Sequence, residues 1–316
     1  MSDYRGVTSL VTGGAGFIGS HLCESLIEAG SEVIVVDDLS SGKISNIPRE
    51  VSFIEGSISD SSVIERAMAE AEIVFHLAAI SSVMKCEDNP KLNREVNFEA
   101  TRQLSNLCSS RDNVRSLIFA SSAAVYGDPI EVPINENHRI APMSNYGMAK
   151  YDSEQVVKEC GGGSGLSTCC LRFFNIYGER QDASSPYSGV ISKFIRRINS
   201  QAPIEIFGKG DQTRDFVHVS DAVRACMMIG SSLLNNEVES PCHNSSLNVS
   251  TGRGVCINDV AELIISFSGS ESQVLNLLAR ENEIMHSVGD CSAISNMVSW
   301  RSLKSLEEGL ESLCSH

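Results

Sequence analysis

Leu10-Val11-Thr12-Gly13-Gly14-Ala15-Gly16-Phe17-Ile18-Gly19 decides the fold of this chain. An apolar strand runs into a glycine turn, and the turn opens a helix. Gly13 permits the tight turn, Gly16 lets a pyrophosphate approach the backbone, and Gly19 lets helix and strand lie close together. The spacing is G-x-x-G-x-x-G rather than G-x-G-x-x-G, so the flanking strand and helix give the pattern its meaning. A second strand, 32–37, closes on Asp37. A carboxylate there accepts from an adenosine ribose 2′-hydroxyl and repels a 2′-phosphate. With Asp38 beside it and Lys43 the nearest cation, NAD is favoured over NADP.

Outward from this turn the first half alternates strand and helix. Strands are predicted at 7–12, 32–37, 51–55, 73–77, 117–121 and 166–174, and helices at 18–28, 90–110 and 146–160. Such alternation builds a parallel sheet with right-handed crossovers, an α/β Rossmann-type doubly wound fold. Gly161-Gly162-Gly163-Ser164-Gly165 reads as a flexible helix-to-strand turn. Past Asn175 the rhythm breaks. A loop at 178–188, helices at 190–200, 220–234, 257–267 and 303–313, and short strands at 203–207 and 215–219 follow. The expected division is a dinucleotide domain over 1–175 and a smaller α/β substrate domain over 176–316, with later elements free to return to the first.

Composition excludes several classes. Net charge is −15, from 25 basic and 40 acidic residues, which opposes nonspecific binding to nucleic acid or anionic membrane. No run of 18 apolar residues and no basic, cleavable leader is present, so a cytoplasmic, soluble protein is expected. Eleven cysteines are scattered without CxxC or metal-ligand spacing. They read as small buried apolar residues, not as disulfides or a metal site. Cys169 and Cys170 should point to opposite faces of one strand.

Tyr146-Gly147-Met148-Ala149-Lys150 carries the chemistry. A Tyr and a Lys four apart share one helix face. A nearby ammonium favours the phenolate, turning a group of pKa about 10 into a base. Reaching about 7 takes roughly three units, or about 4 kcal/mol of differential stabilisation. A cationic oxidised nicotinamide would supply part of it. Ser121 and Ser122 stand just upstream.

With these residues in view, the chain resembles the extended short-chain dehydrogenase/reductase family, and within it the nucleotide-sugar 4-epimerases. TGGAGFIGSHL at 12–22, DDLSSG at 37–42, HLAA at 76–79, SSAAVYG at 121–127, YGMAK at 146–150, RFFNIYG at 172–178, RQDASSPYSGVIS at 180–192 and RDFVHVSDA at 214–222 carry the resemblance. It implies Tyr146 as catalytic base, Lys150 as its partner, and Ser122 as the hydroxyl bridging Tyr146 and the sugar O4, with Ser121 the adjacent alternative. To NAD it assigns Gly13, Gly16, Phe17, Ile18, Gly19, Asp37, Ser57, Ile58, Leu77, Ala78, Ala79, Asn97 and Phe173, with Tyr146 and Lys150. To a UDP-sugar it assigns Ser121, Ser122, Asn175, Arg214, Arg280 and Ser287. Guanidinium forks suit diphosphate oxygens. A homodimer packed through the 90–110 and 146–160 helices is also implied. One departure stands out: Gly56-Ser57-Ile58-Ser59-Asp60 replaces Gly-Asp-Ile-x-Asp, so a carboxylate that touches the adenine amino group becomes a weaker serine acceptor.

The implied reaction is reversible oxidation of the sugar at C4, turnover of the 4-ketose in the pocket, and reduction from the other face. Dehydratases of this family follow the catalytic hydroxyl with Asp-Glu, and decarboxylases use Glu. Here Ala123-Ala124 follows Ser122, which disfavours both. The remaining alternatives are a dehydrogenase that releases its oxidised product and a noncatalytic NAD-binding regulator, which would lack Tyr or Lys. Small Ser287, at the position beside the hexose C2 substituent, together with Arg180-Gln181-Asp182 and Pro186-Tyr187, extends the expected substrates from UDP-Glc/UDP-Gal to the N-acetylated pair.

Overall fold

The computed structural model describes residues 3–163, 165–182, 189–280 and 283–315. Strands β1 (Thr8–Thr12), β2 (Glu32–Asp37), β3 (Ser52–Glu55), β4 (Ile73–His76), β5 (Ser116–Ser122) and β6 (Ser167–Phe173) match the apolar runs to within a residue or two at each end. They form a parallel sheet in the order β10-β6-β5-β4-β1-β2-β3, where β10 is Ser245–Val249. The order reverses between β1 and β4. Ligands of open α/β sheets bind beyond the strand ends at such a point.

Side-chain alternation splits the core between the two sheet faces. Val11, Ile118 and Cys169 enter one apolar cluster, while Leu10, Leu117, Phe119 and Cys170 enter the other. Cys169 and Cys170 thus part as expected. All cysteines are free, and seven of them are buried. Helix α1 (Phe17–Glu28) follows the glycine turn. The helix predicted for 90–110 is α-helical at Pro90–Asn93 and Ala100–Ser109 and widens into a π turn at Arg94–Glu99. Helix Asn145–Gly163 outruns its predicted end. Gly161 to Gly163 are therefore helical rather than a flexible turn, and Thr168 packs where a side chain on Gly161 would lie. Ser164 lies outside the described residues.

After β6 the chain builds a second, smaller assembly. β7 (Asn175–Tyr177), β11 (Gly254–Cys256) and β13 (His286–Ser287) gather around β9 (Thr213–His218), and β8 (Ile204–Phe207) pairs with β12 (Val274–Leu277). Helices Val190–Asn199, Ile257–Ser268 and Leu306–Cys314 enclose their own core around Phe194, Ile206, Val260 and Leu310. Helix Val219–Asn236 packs back onto α1, and β10 extends the large sheet beside β6. No described helix is long and apolar enough to cross a membrane.

Candidate active site

The glycine turn is as tight as its spacing implies. Gly13 has φ +75°, and a Cβ added there would lie 2.8 Å from the Ala78 nitrogen. One added to Gly19 would lie 2.2 Å from the Gly13 carbonyl oxygen. Gly16 is the N-cap of α1 and offers no side chain to the first-turn N–H groups that begin at Phe17 and Ile18. These donors, at the positive end of the helix, suit a pyrophosphate. Asp37 is nearly buried, and its two oxygens accept from Ala15 N at 3.0 Å and Leu39 N at 2.8 Å. Burial pushes its carboxyl pKa up, and the two N–H groups oppose the shift. Lone pairs remain for a ribose hydroxyl. Lys43 faces Asp182 at 3.9 Å instead.

Ser57 turns into its own loop, where its hydroxyl accepts from Ser59 N at 3.2 Å, and Ile58 is buried behind it. Asp60 caps the next helix through Ser62 N, so its carboxylate is engaged there. Leu77, Ala78 and Ala79 leave β4 half-buried at the switch point. Phe173 ends β6 opposite Ser122. Asn97, on the helix expected to support the site, is held inside the protein. It is 1% exposed, and its amide accepts from Ile80 N at 2.8 Å and donates to Ile80 O at 3.0 Å and Asn93 Oδ1 at 2.8 Å. It braces the loop after Ala79.

Tyr146 and Lys150 lie on one face near the start of the Asn145–Gly163 helix. Asn145 N and Nδ2 donate to the two oxygens of Glu87, at 2.6 and 2.7 Å, and fix that end. The Ser122 hydroxyl accepts from Ala124 N at 3.2 Å and lies near enough to Tyr146 to lower its phenol pKa. The Lys150 ammonium lies 5.9 Å from the Tyr146 ring centre, 4.7 Å from that of Phe119, and donates to Ala120 O at 2.7 Å. Burial pulls the Lys150 pKa down to about 8.

Two features go beyond the sequence reading. Lys150 is not among the groups that shift the Tyr146 phenol here. Burial pushes it up to about 12, with Ser122 pulling it down and Cys86 adding to the rise. Ser121 does not share the site with Ser122. Successive strand residues point to opposite faces, and Ser121 donates to buried Glu154 at 2.5 Å.

On the far side, Arg214 of β9 stands in register with Ser287 of β13 and Val255 of β11, and exposed Asn175 opens β7 two strand positions along. Arg280 stacks on Phe207, its guanidinium 4.0 Å from the ring centre. Phe207, Lys209, Gln212, Arg280 and Glu283 line a cavity of about 420 Å³. Arg214 reaches Glu283 at 3.6 Å. Burial lowers the Arg214 pKa, and the charge of Arg280 acts in the same direction. Arg280 also lowers the pKa of Lys193, after burial. Three cations thus converge in a strongly acidic chain. Phe207, Lys193 and Glu283 escaped the sequence reading. Only the aromatic-glycine step closing β8 hinted at the first. Pro186 and Tyr187 lie outside the described residues, which contain no cluster of possible metal ligands.

A helix bearing Tyr and Lys beside a strand-end serine, set over the switch point of a dinucleotide fold, is the build of a short-chain dehydrogenase/reductase, and this chain is of that class. The model of the NAD dependent epimerase/dehydratase family matches residues 9–239. A Methanocaldococcus jannaschii protein named "Putative UDP-glucose 4-epimerase" is 36% identical over 305 residues, covering 96% of this chain and 95% of the relative. A UDP-N-acetyl-alpha-D-glucosaminuronate decarboxylase of Bacillus cytotoxicus is 30% identical over 315 residues, covering 96% and 95%. The structure of Thermotoga maritima UDP-glucose 4-epimerase with UDP-glucose superposes with a TM-score of 0.92 at 35% identity, over 98% of both chains. The chain belongs to the NAD-dependent epimerase/dehydratase family, and NAD is its cofactor. The uncapped start of α1, the close glycine turn and the Asp37 carboxylate fit that cofactor.

Proposed function

We propose that this chain is an NAD-dependent 4-epimerase of UDP-hexoses that works through a transient 4-keto sugar. One observation carries the reading. Ser122, which ends β5 beside Tyr146, leads into Ala123 and Ala124, so neither residue after the serine brings a carboxylate. Elimination of water from C5 and C6 needs an acid pair there, and the decarboxylases of this family use a glutamate. The relatives named as decarboxylases match over the same length, so the two alanines favour the epimerase.

Tyr146 takes the proton of the sugar 4-hydroxyl and later returns it, with Ser122 bridging the two oxygens. Bound NAD supplies the two-electron oxidation at C4 and its reversal. Lys150 anchors the base to β5 through Ala120 O and keeps positive charge nearby. Arg214, Arg280 and Lys193 hold the diphosphate, and Phe207 offers an apolar face to the base. A firm grip on the nucleotide leaves the hexose free to turn. A homodimer is part of the same reading.

The positive charge of oxidised NAD should bring down the phenol that burial has raised. In a difference titration of absorbance near 295 nm, with Tyr146→Phe as blank, ligand-free protein should show Tyr146 ionising above the ordinary tyrosine value of about 10. Bound NAD should move that ionisation downward. An unchanged titration would remove the electrostatic basis for the proton transfer.

The function is tested by incubating the purified protein separately with UDP-Glc, UDP-Gal, UDP-GlcNAc and UDP-GalNAc and resolving the products. The expected result is the 4-epimer with no net NADH. Accumulating NADH would point to a dehydrogenase, and loss of water or carboxylate to the other branches. Ser287 stands in register with Arg214, which supports reading it as the residue beside the hexose C2 substituent. Ser287→Tyr should lower turnover of the N-acetylated sugars roughly tenfold or more and spare the simple hexoses, since filling a pocket acts by steric exclusion. Equal loss on both would refute the gatekeeper assignment.

A further inference from the structure

His76 ends β4 at the switch point, 1% exposed, and the mechanism above does not use it. Its Nδ1 lies 2.7 Å from Thr12 Oγ1, and its Nε2 lies 2.9 Å from Thr101 Oγ1. Both hydroxyls have second partners. Thr12 Oγ1 accepts from Ala78 N at 3.2 Å, and Thr101 Oγ1 donates to Asn97 O at 3.0 Å. Thr12 and Thr101 are as buried as the histidine.

The directions of these bonds settle the proton. Each hydroxyl has one hydrogen to give. With the proton on Nε2, Ala78 N–H donates to Thr12, Thr12 donates to Nδ1, Nε2–H donates to Thr101, and Thr101 donates to Asn97 O. Every hydrogen then has an acceptor. With the proton on Nδ1, the Thr12 hydroxyl hydrogen has none of these acceptors left, in a site without water access. A doubly protonated ring meets the same obstacle. An unsatisfied buried polar group costs about 1–3 kcal/mol.

Both ends of this chain of bonds sit on the cofactor trough. Thr12 directly precedes Gly13, and the Ala78 nitrogen is the atom that a side chain at Gly13 would strike. Asn97 grips Ile80 through its amide. We propose that His76 is a positioning residue for NAD: as the neutral Nε2–H tautomer it clamps the glycine turn, the 77–80 loop and the Ala100–Ser109 helix at the separation the cofactor requires. Neutrality has a second value. Phe119 lies between His76 and the Lys150 ammonium, 5.7 Å from the imidazole and 4.7 Å from the ammonium, so a charged ring would add a cation beneath an already cationic site. Burial and Lys150 both lower the His76 pKa, to about 3.

The proposal rests on NAD binding and not on the epimerase reading, so its test does not depend on turnover. Histidine side-chain ¹⁵N spectra of the labelled protein, assigned by loss of the His76 signal in His76→Asn, should show the Nε2–H pattern unchanged between pH 5.5 and 9. An Nδ1–H or imidazolium pattern would overturn the assignment. NAD affinity of the purified protein provides the second readout. Thr12→Val, which keeps the shape and loses the hydroxyl, should raise the NAD Kd about tenfold, or 1.4 kcal/mol. Thr12→Ser should restore it. His76→Leu should weaken binding at least as much as Thr12→Val, and His76→Asn, which keeps an acceptor near Thr12, should recover part. Should His76→Leu not fold, the Thr12 pair still decides: wild-type NAD affinity in Thr12→Val would overturn the clamp.

Discussion

Tyr146→Phe should lose turnover by about 10³-fold, the middle of the range for removing a positioned general base, while NAD binding and folding stay intact. The ring keeps its packing, and Lys150 keeps its bonds to Ala120 O and Phe119. Only the phenolic oxygen goes, and Ser122 keeps its bond from Ala124 N. Ser122→Ala should cost less, because Tyr146 can still reach the sugar hydroxyl without the bridge. The measurements are steady-state rates on whichever UDP-sugar proves best, beside an NAD-binding isotherm for each variant. Retention of more than a tenth of wild-type turnover in Tyr146→Phe would exclude the phenol as base. Near-complete loss of NAD from the same variant would mean that the tyrosine holds the cofactor, leaving its chemical role unproved.

The catalytic helix and the glycine turn were legible because both are local. Four residues on a helix put Tyr146 over Lys150, and seven in a turn put Gly13 against Gly19. What stayed hidden was set by partners far along the chain. Strand β10, Ser245–Val249, does not read as a sheet strand, because Ser246 and Asn248 interrupt its apolar pattern. Both are buried, satisfied by Glu154 and by the Ile134 carbonyl with Tyr126. The cavity that Phe207, Arg280 and Glu283 line, with Arg214 against Glu283, draws on separate segments, and no spacing announces that meeting. Ser121 and Ser122 form the instructive pair. Strand alternation says that the two point to opposite faces, but nothing local says that Ser121 is taken by Glu154 of the catalytic helix, 33 residues on, while Ser122 ends the strand beside the tyrosine. The burial of the Tyr146 phenol was hidden for a related reason: a YxxxK spacing brings a lysine near, while the loss of water around the phenol depends on the whole pocket.

Arg172→Met should be the most destabilising single change among the polar core residues. The guanidinium grips Glu154 with two bonds, Nε to Oε1 at 2.9 Å and Nη2 to Oε2 at 2.7 Å, and the Glu154 side chain is fully buried. Burial by itself would lower the Arg172 pKa, but the bonds and charge of Glu154, with help from Tyr126, drive it upward. Ser121 and Ser246 donate to the same carboxylate, and Arg172 also donates to the Tyr126 hydroxyl at 2.9 Å. Removing the cation leaves a buried carboxylate with two hydroxyl donors, no paired counter-charge and only the more distant Lys150 acting on it. Breaking one partner of such a pair costs about 3–5 kcal/mol. For a chain of this length that is a fall in Tm of roughly 5–8 °C. Glu154→Gln combined with Arg172→Met should recover part of the loss, because the damage lies in the stranded charge and not in the missing bonds. Denaturant unfolding of the two single variants and the double closes the cycle. A loss below about 1 kcal/mol in Arg172→Met would place that pair among weak surface-like ion pairs. The pair ties β6 to the helix that carries Tyr146 and Lys150, one helical turn beyond the lysine. Part of the rigidity of the catalytic face would then have to come from Glu87 at the helix start and Lys150 on Ala120 O, contacts that local mutation could test independently.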